Sequence, residues 1–343
     1  MILKYKQIKI SELANITGQS IPLISRYFKT NTFENVTRNN GRIIGISPEA
    51  VQKYLQKVGM SYLYKPCVIL FANLCGGVGK TSGTSNLAVA SRRITNRLEI
   101  PHVYVDSDPQ GSFTTTLFGN PASNSELVLI DFLENKASID DILTNIGDNT
   151  WFVKSNLNQI WIDRILTKPK EIKNGMLRFY QALFEKLGPN TRIFQDHTPQ
   201  LGTLFASSVC AIHQLNKDIL RCLMIPIRGD TYAIQGGEYI LQEIEELQDT
   251  FSLKNDIDIH YYFSSIDRRV STTSEALRIA KEKDNIVKHL SPVVVRYCSE
   301  IPKSIMQHCN VFANRTNNKA AIDYQDLLQY IFDYKAHKTK ENG

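Results

Sequence analysis

Residues 67–82 read CVILFANLCGGVGKTS. The first seven are an unbroken apolar run closing on Asn73, too short for a buried helix and suited to a parallel strand covered on both faces. The glycine-rich stretch Gly76-Gly77-Val78-Gly79-Lys80-Thr81 follows, and Thr81 through about Arg92 then carries Leu87, Ala88 and Ala90 on one side at helical spacing. Strand, glycine loop and helix in that order let backbone N–H groups and a helix N-terminus face one small space. That arrangement cradles phosphate oxygens. The candidate binding residues are Gly76, Gly77, Val78, Gly79, Lys80, Thr81 and Ser82, with Lys80 reaching the β- and γ-phosphates and the Thr81 hydroxyl reaching a bound Mg²⁺.

Further apolar runs repeat the pattern. HVYVDSDPQGS (102–112) ends a strand on Asp106 and Asp108, and RIFQDHTPQLG (192–202) ends one on Asp196. Acids at the carboxyl ends of parallel strands face the crevice where ligands bind in such sheets. Asp106 and Asp108 can both face that crevice, and Asp196 suits an acid that holds Mg²⁺ through water. RCLMIPI (221–227) and DIHYYFSSID (258–267) give two more strands. The expected fold is an α/β P-loop NTPase with a mostly parallel sheet flanked by helices. His197 beside Asp196 reads as a packing residue, since phosphoryl transfer needs positioning more than proton relay. Helical runs near Leu127–Leu133 and Met176–Leu187 carry no evident chemistry.

Outward toward the N-terminus the composition changes. The chain has 343 residues and a net charge of +6, but residues 1–65 hold ten Lys/Arg against three Glu, a net +7. The remainder holds 30 basic and 31 acidic residues. A basic excess confined to a small segment suggests an anionic polymer as partner. Within KISELANITGQSIPLISRYFKT (9–30) apolar residues recur at Ile10, Leu13 and Ile16, then at Ile21, Ile24 and Phe28, around Thr17-Gly18-Gln19. Two short helices crossing at Ala14, with Gly18 turning at positive φ and Ile24 buried between them, resemble the helix-turn-helix DNA readers. The second helix, from about Ser20 to Lys29, presents Gln19, Ser20, Ser25 and Arg26 as candidate contacts. VTRNNGRIIGI (36–46) reads as a hairpin turning at Asn39-Asn40-Gly41, a wing flanked by Arg38 and Arg42. Ser47-Pro48-Glu49 opens a third helix that Gly59 ends. Lys65-Pro66 reads as a linker, giving a winged helix-turn-helix domain at 1–65 and an ATPase domain at 66–343.

The motifs GGVGKTS, VDSDPQGS, DHTPQLG and IP at 225–226, in this order, resemble the ParA/MinD group of deviant Walker ATPases over about 66–335. The tail 292–331 also looks like the ParA C-terminal region. The N-terminal segment resembles that of the larger plasmid-partition ParA proteins. The resemblance implies ATP or ADP with Mg²⁺, a nucleotide-sandwich homodimer, nonspecific DNA binding, hydrolysis stimulated by a ParB-like partner, and repression of its own operon through operator DNA. It assigns Asp108 to orienting the attacking water, with Lys80 as the other catalytic residue, and Asp106 and Asp196 to positions near Mg²⁺. It places Arg268, Arg269, Arg296 and Lys303 near nonspecific DNA. Where the family carries a signature lysine, this chain has Cys75, and a thiol supplies no such charge. Slowed hydrolysis in a nucleotide-sensing repressor is the alternative reading. The amphipathic end 323–340 raises a MinD-like membrane role, but Leu327, Leu328 and Ile331 suit docking on the core. A cytoplasmic, nucleoid-associated protein is expected, since no apolar run approaches the ~18 residues a span needs.

Overall fold

The structure, a computed structural model, describes residues 7–31, 36–95, 98–147, 149–229, 231–267, 269–313 and 318–341. The chain divides into two compact units. The first comprises residues 1–65 with 92–100; the second comprises 66–91 with 101–343.

In the first unit, α1 (Ile10–Thr17) and α2 (Ile21–Thr30) are joined through Gly18, whose φ of 65° caps α1 in the left-handed region. A side chain there would be strained, so glycine belongs. β1 (Val36–Asn39) and β2 (Arg42–Ile46) pair antiparallel, turning through Asn40 and Gly41 at φ 46° and 75°. Positive φ at both positions matches the right-handed twist of the strands. α3 (Pro48–Lys57) is capped by the Ser47 hydroxyl, which accepts from the Ala50 N–H at 3.3 Å. The core gathers Leu13, Ile24, Phe28, Ile46, Val51 and Leu55, and also Leu98 and Ile100. Ile21, placed on the buried side by its spacing, is 52% exposed; Ile24 and Phe28 carry that face of α2 inward, with Tyr27 packed beside them.

The second unit is built on a seven-stranded sheet. Its elements in chain order begin with β3 (Cys67–Phe71), α4 (Lys80–Thr95, whose last residues belong to the first unit), β4 (His102–Asp106) and α5 (Ser112–Phe118). Then come α6 (Leu129–Leu133), α7 (Ile139–Ile142), β5 (Leu143–Gly147), β6 (Thr150–Val153), α8 (Ile162–Ile165), α9 (Pro169–Leu187), β7 (Arg192–Asp196) and α10 (Thr203–Gln214). β8 (Leu220–Ile227), α11 (Thr231–Phe251), β9 (Asp258–Phe263), α12 (Ser271–Glu282), α13 (Asp284–Val287), α14 (Glu300–Met306) and α15 (Lys319–Glu341) complete it.

The strand order is β5-β6-β4-β7-β3-β8-β9. All neighbours are parallel except β5 and β6. Every residue of β3, β4, β7 and β8 is buried, as helices on both faces require. The registers Phe71↔Asp196 and Asp106↔Asp196 bring the carboxyl ends of β3, β7 and β4 to one level. In α15, Leu327, Leu328 and Ile331 are buried, and among the described residues no helix is long and apolar enough to cross a membrane.

Candidate functional site

The site forms where β3, β4, β7 and β8 end together. After β3 the chain leaves the sheet at Asn73, a buried amide with three bonds. Its Nδ2 donates to the carbonyls of Pro226 (2.8 Å) and Ala233 (3.2 Å), and its Oδ1 accepts from the Cys75 N–H (2.9 Å). This fixes the root of the glycine loop to the segment beyond β8. Gly77 and Gly79 then sit at φ 70° and 97°. At Gly79 glycine is required twice over: a Cβ would stand 2.5 Å from the Ser264 hydroxyl oxygen.

Lys80 opens α4. It is buried, and its ammonium donates to the Cys75 carbonyl at 2.9 Å. Burial lowers its pKa, while Asp196 and Asp108 nearby favour its charge. Thr81 donates its hydroxyl to Asp196 Oδ2 at 2.6 Å, and Thr84 donates to Asp196 Oδ1 at 3.3 Å. Burial, with the Asp106 carboxylate as neighbour, pushes Asp196 up to about 8. A carboxylate so desolvated favours a proton or a cation beside it. Ser82 borders a cleft of about 400 Å³ that Thr81, Gln110, Thr115, Ser304 and His308 also line.

Asp106 and Asp108, two residues apart, differ in role. Asp106 is wholly buried. Its Oδ1 accepts from the Asp108 N–H (3.1 Å), and its Oδ2 accepts from the N–H and hydroxyl of Thr114 (both 2.7 Å). Three of the carboxylate's roughly four acceptor positions are thus given to shaping the turn. Burial raises it to about 7, against these hydrogen bonds. Asp108 is half-buried, and its Oδ1 caps the Gln110 N–H at 2.9 Å. The turn is braced from behind: Ser155 donates to the Asp108 carbonyl (2.5 Å), and Gln159 donates to the Asp106 carbonyl (3.0 Å).

Among the described residues no group of three or more His, Cys, Asp or Glu could hold a metal ion. Thr81 and Asp196 nevertheless fit Mg²⁺, which takes one or two protein oxygens and completes its shell with phosphate and water. The Cys75 side chain is half-buried and lies toward Gly236 of α11, its Sγ 3.5 Å from where a Cβ would stand. His197 packs edge-on against Phe205, and burial pushes its pKa down to about 3, so it stays neutral. A larger cleft, about 670 Å³, lies at the amino ends of β8 and β9 between Arg221, Asp258 and Lys288. It has neither glycine loop nor strand-end acids.

The basic candidates disperse. Ser20, Arg26, Arg38 and Arg42 are exposed on the first unit, with Gln19 and Ser25 half-buried. Arg38 spends Nη2 on the Phe28 carbonyl at 2.8 Å. In the second unit Arg269 is paired with Asp267 (Nη2–Oδ2 2.6 Å), and Arg296 forks onto Asp323 of α15 (Nη2–Oδ1 2.6 Å). Lys303 stands 4.0 Å from Glu300, and Arg268 lies outside the described residues. Asn73, Thr84, Thr114, Ser155 and Gln159 were not singled out from sequence. Each is a common polar residue, and only the packing shows which atoms it touches.

A family profile described as an AAA domain matches residues 67–259, more than half of the chain. An uncharacterized protein of Mycobacterium tuberculosis is 27% identical over 192 residues; the match spans 55% of this chain and about half, 55%, of that relative. The sporulation initiation inhibitor protein Soj of Bacillus subtilis is 25% identical over 241 residues, 68% of this chain and 87% of Soj. Among solved structures, apo McdA of Cyanthece superposes with a TM-score of 0.62 at 15% identity, covering 77% of this chain and 98% of that one. Cobyrinic acid a,c-diamide synthase of Mycobacterium smegmatis, with bound ATP analog and magnesium, gives 0.60 at 18% identity over 79% and 96%. A putative plasmid partition protein of Borrelia burgdorferi bound to AMPPNP gives 0.59 at 17% identity over 79% and 100%. These structural likenesses speak to the fold. With the profile match spanning the glycine loop and all three strand-end acids, the chain belongs to this AAA domain family, in the ParA/MinD group of Walker ATPases.

Proposed function

We propose that the chain is a Mg²⁺-dependent ATPase of DNA segregation. The observation that carries this is the contact between the Thr81 hydroxyl and Asp196, 2.6 Å apart, at the mouth of a loop whose Lys80 is already turned inward. ATP would lie along the loop amides, its phosphates met by Lys80 and the N-terminus of α4. Thr81 would hold Mg²⁺ directly, with Asp196 positioned behind it. When bound, the metal neutralises charge on the phosphates. Asp108, on its braced turn, would orient a water. Asp106 keeps that turn in shape. Solved neighbours of the same fold carry an ATP analog, one of them with magnesium.

The partition role is supported by the Borrelia protein, a putative plasmid partition protein, and by the first unit. Its α1–α2 crossing, β1–β2 hairpin and +7 charge fit a winged helix-turn-helix on operator DNA, with Ser20, Arg26 and Arg42 exposed for contact. A homodimer, nonspecific DNA, a ParB-like partner, autorepression and a nucleoid-associated location complete this reading. The experiment is DNA binding by the full chain with ATP, ADP and no nucleotide, alongside Lys80→Ala and Arg26→Glu/Arg42→Glu. Nucleotide should change DNA binding in wild type and not in Lys80→Ala. The double reversal should weaken DNA binding and flatten its salt dependence by about two charges. DNA binding indifferent to nucleotide would sink the proposal. Cys75 favours a second reading, a repressor that senses nucleotide and scarcely hydrolyses it. Turnover with DNA equal to that of Cys75→Lys would exclude it.

A further inference from the structure

Cys75 leaves the glycine loop with one cationic side chain of its own, Lys80. A second cation reaches the loop from β8. That strand pairs with β3, and Asn73 clamps the carbonyls of Pro226 and Ala233, so the turn after β8 is held at the height of the loop. Arg228 is the first residue beyond the strand. Its Nη1 donates to the Gly77 carbonyl at 3.3 Å, and lies 3.8 Å from where a Cβ of Gly77 would stand. The guanidinium is exposed, and among the described residues no carboxylate pairs with it. One long bond to a carbonyl uses one of its five donors.

We infer that Arg228 is a second phosphate-contacting cation of this site, set in cis, which makes the loop favour a nucleoside triphosphate over a diphosphate. The inference rests on the nucleotide reading above. Gly77 lies three residues before Lys80 in the same glycine loop. A planar guanidinium there can take two oxygens of a terminal phosphate at once, which a lysine cannot. A diphosphate, lacking the terminal group, makes less of that contact. The Asn73 clamp keeps the segment carrying Arg228 in place before any ligand arrives, which lowers the ordering required on binding.

The test is titration of the full chain with AMPPNP and with ADP, for wild type, Arg228→Ala, Arg228→Lys and Lys80→Ala. Arg228→Ala should raise the Kd for AMPPNP about tenfold, the weight of one charge-assisted hydrogen bond, and leave the Kd for ADP within about twofold. Arg228→Lys should fall between. Equal effects on both nucleotides would overturn the inference by tying Arg228 to what the two share, and no effect would mark it as a solvated surface charge. If Lys80→Ala leaves both affinities unchanged, the nucleotide reading itself fails. Because Arg228 is exposed, unfolding temperatures of its variants should match wild type.

Discussion

At the residue scale, the site depends on a side chain without chemistry of its own. Asn73 ties the loop root to two carbonyls of another segment and to one N–H of its own. Asn73→Ala removes three hydrogen bonds at the loop root, each with a net contribution of about 1 kcal/mol. A loss of about 3 kcal/mol in urea denaturation, with weaker AMPPNP binding, is the expected outcome. His213 sets a pH limit. Its Nδ1 faces the Asn255 carbonyl, which only accepts, so Nδ1 carries the proton. Burial, outweighing that bond, lowers its pKa below the ordinary 6.5. The unfolded chain therefore binds a proton that the folded chain refuses. Stability falls as pH drops below about 6.5, by up to about 1.4 kcal/mol per pH unit for this one group. Denaturation at pH 7.5 and pH 5 should show a smaller drop for His213→Gln than for wild type.

At the scale of elements, the parallel strands were legible because each is an apolar run ending at a loop signal, and two end in acids. Those runs gave β3, β4, β7, β8 and β9, and the loop before α4. The β5–β6 hairpin was not legible. LTNIG is half-buried and TWFV has four residues, so neither reaches a strand's usual periodicity. Ser155 and Gln159, which brace the Asp106–Asp108 turn, follow that hairpin and were hidden with it. Distant pairings were equally invisible. Arg296 read as a contact to nonspecific DNA, yet its N–H and guanidinium both meet Asp323, a residue only 5% exposed. Removing Arg296 leaves that carboxylate with the N–H alone. Because the guanidinium is itself half exposed, Arg296→Ala should cost about 1–2 kcal/mol in thermal or urea denaturation. Asp323→Asn should cost less, since the amide oxygen can still accept.

At the scale of the molecule, charge and core disagree about where the first unit ends. The basic excess and the Lys65-Pro66 linker stop at residue 65. The core does not: Leu98 and Ile100, 2% exposed each, belong to it. Nothing in residues 92–100 marks them as returning, since a helix end followed by two aliphatic residues reads as ordinary connection. The chain therefore passes between the units three times, at 65/66, 91/92 and 100/101. A protease site engineered at Lys65-Pro66 makes this observable. Cutting the backbone there should not release residues 1–65, because their packing partners remain on the other fragment. The two pieces should elute together under native conditions and separate only in denaturant.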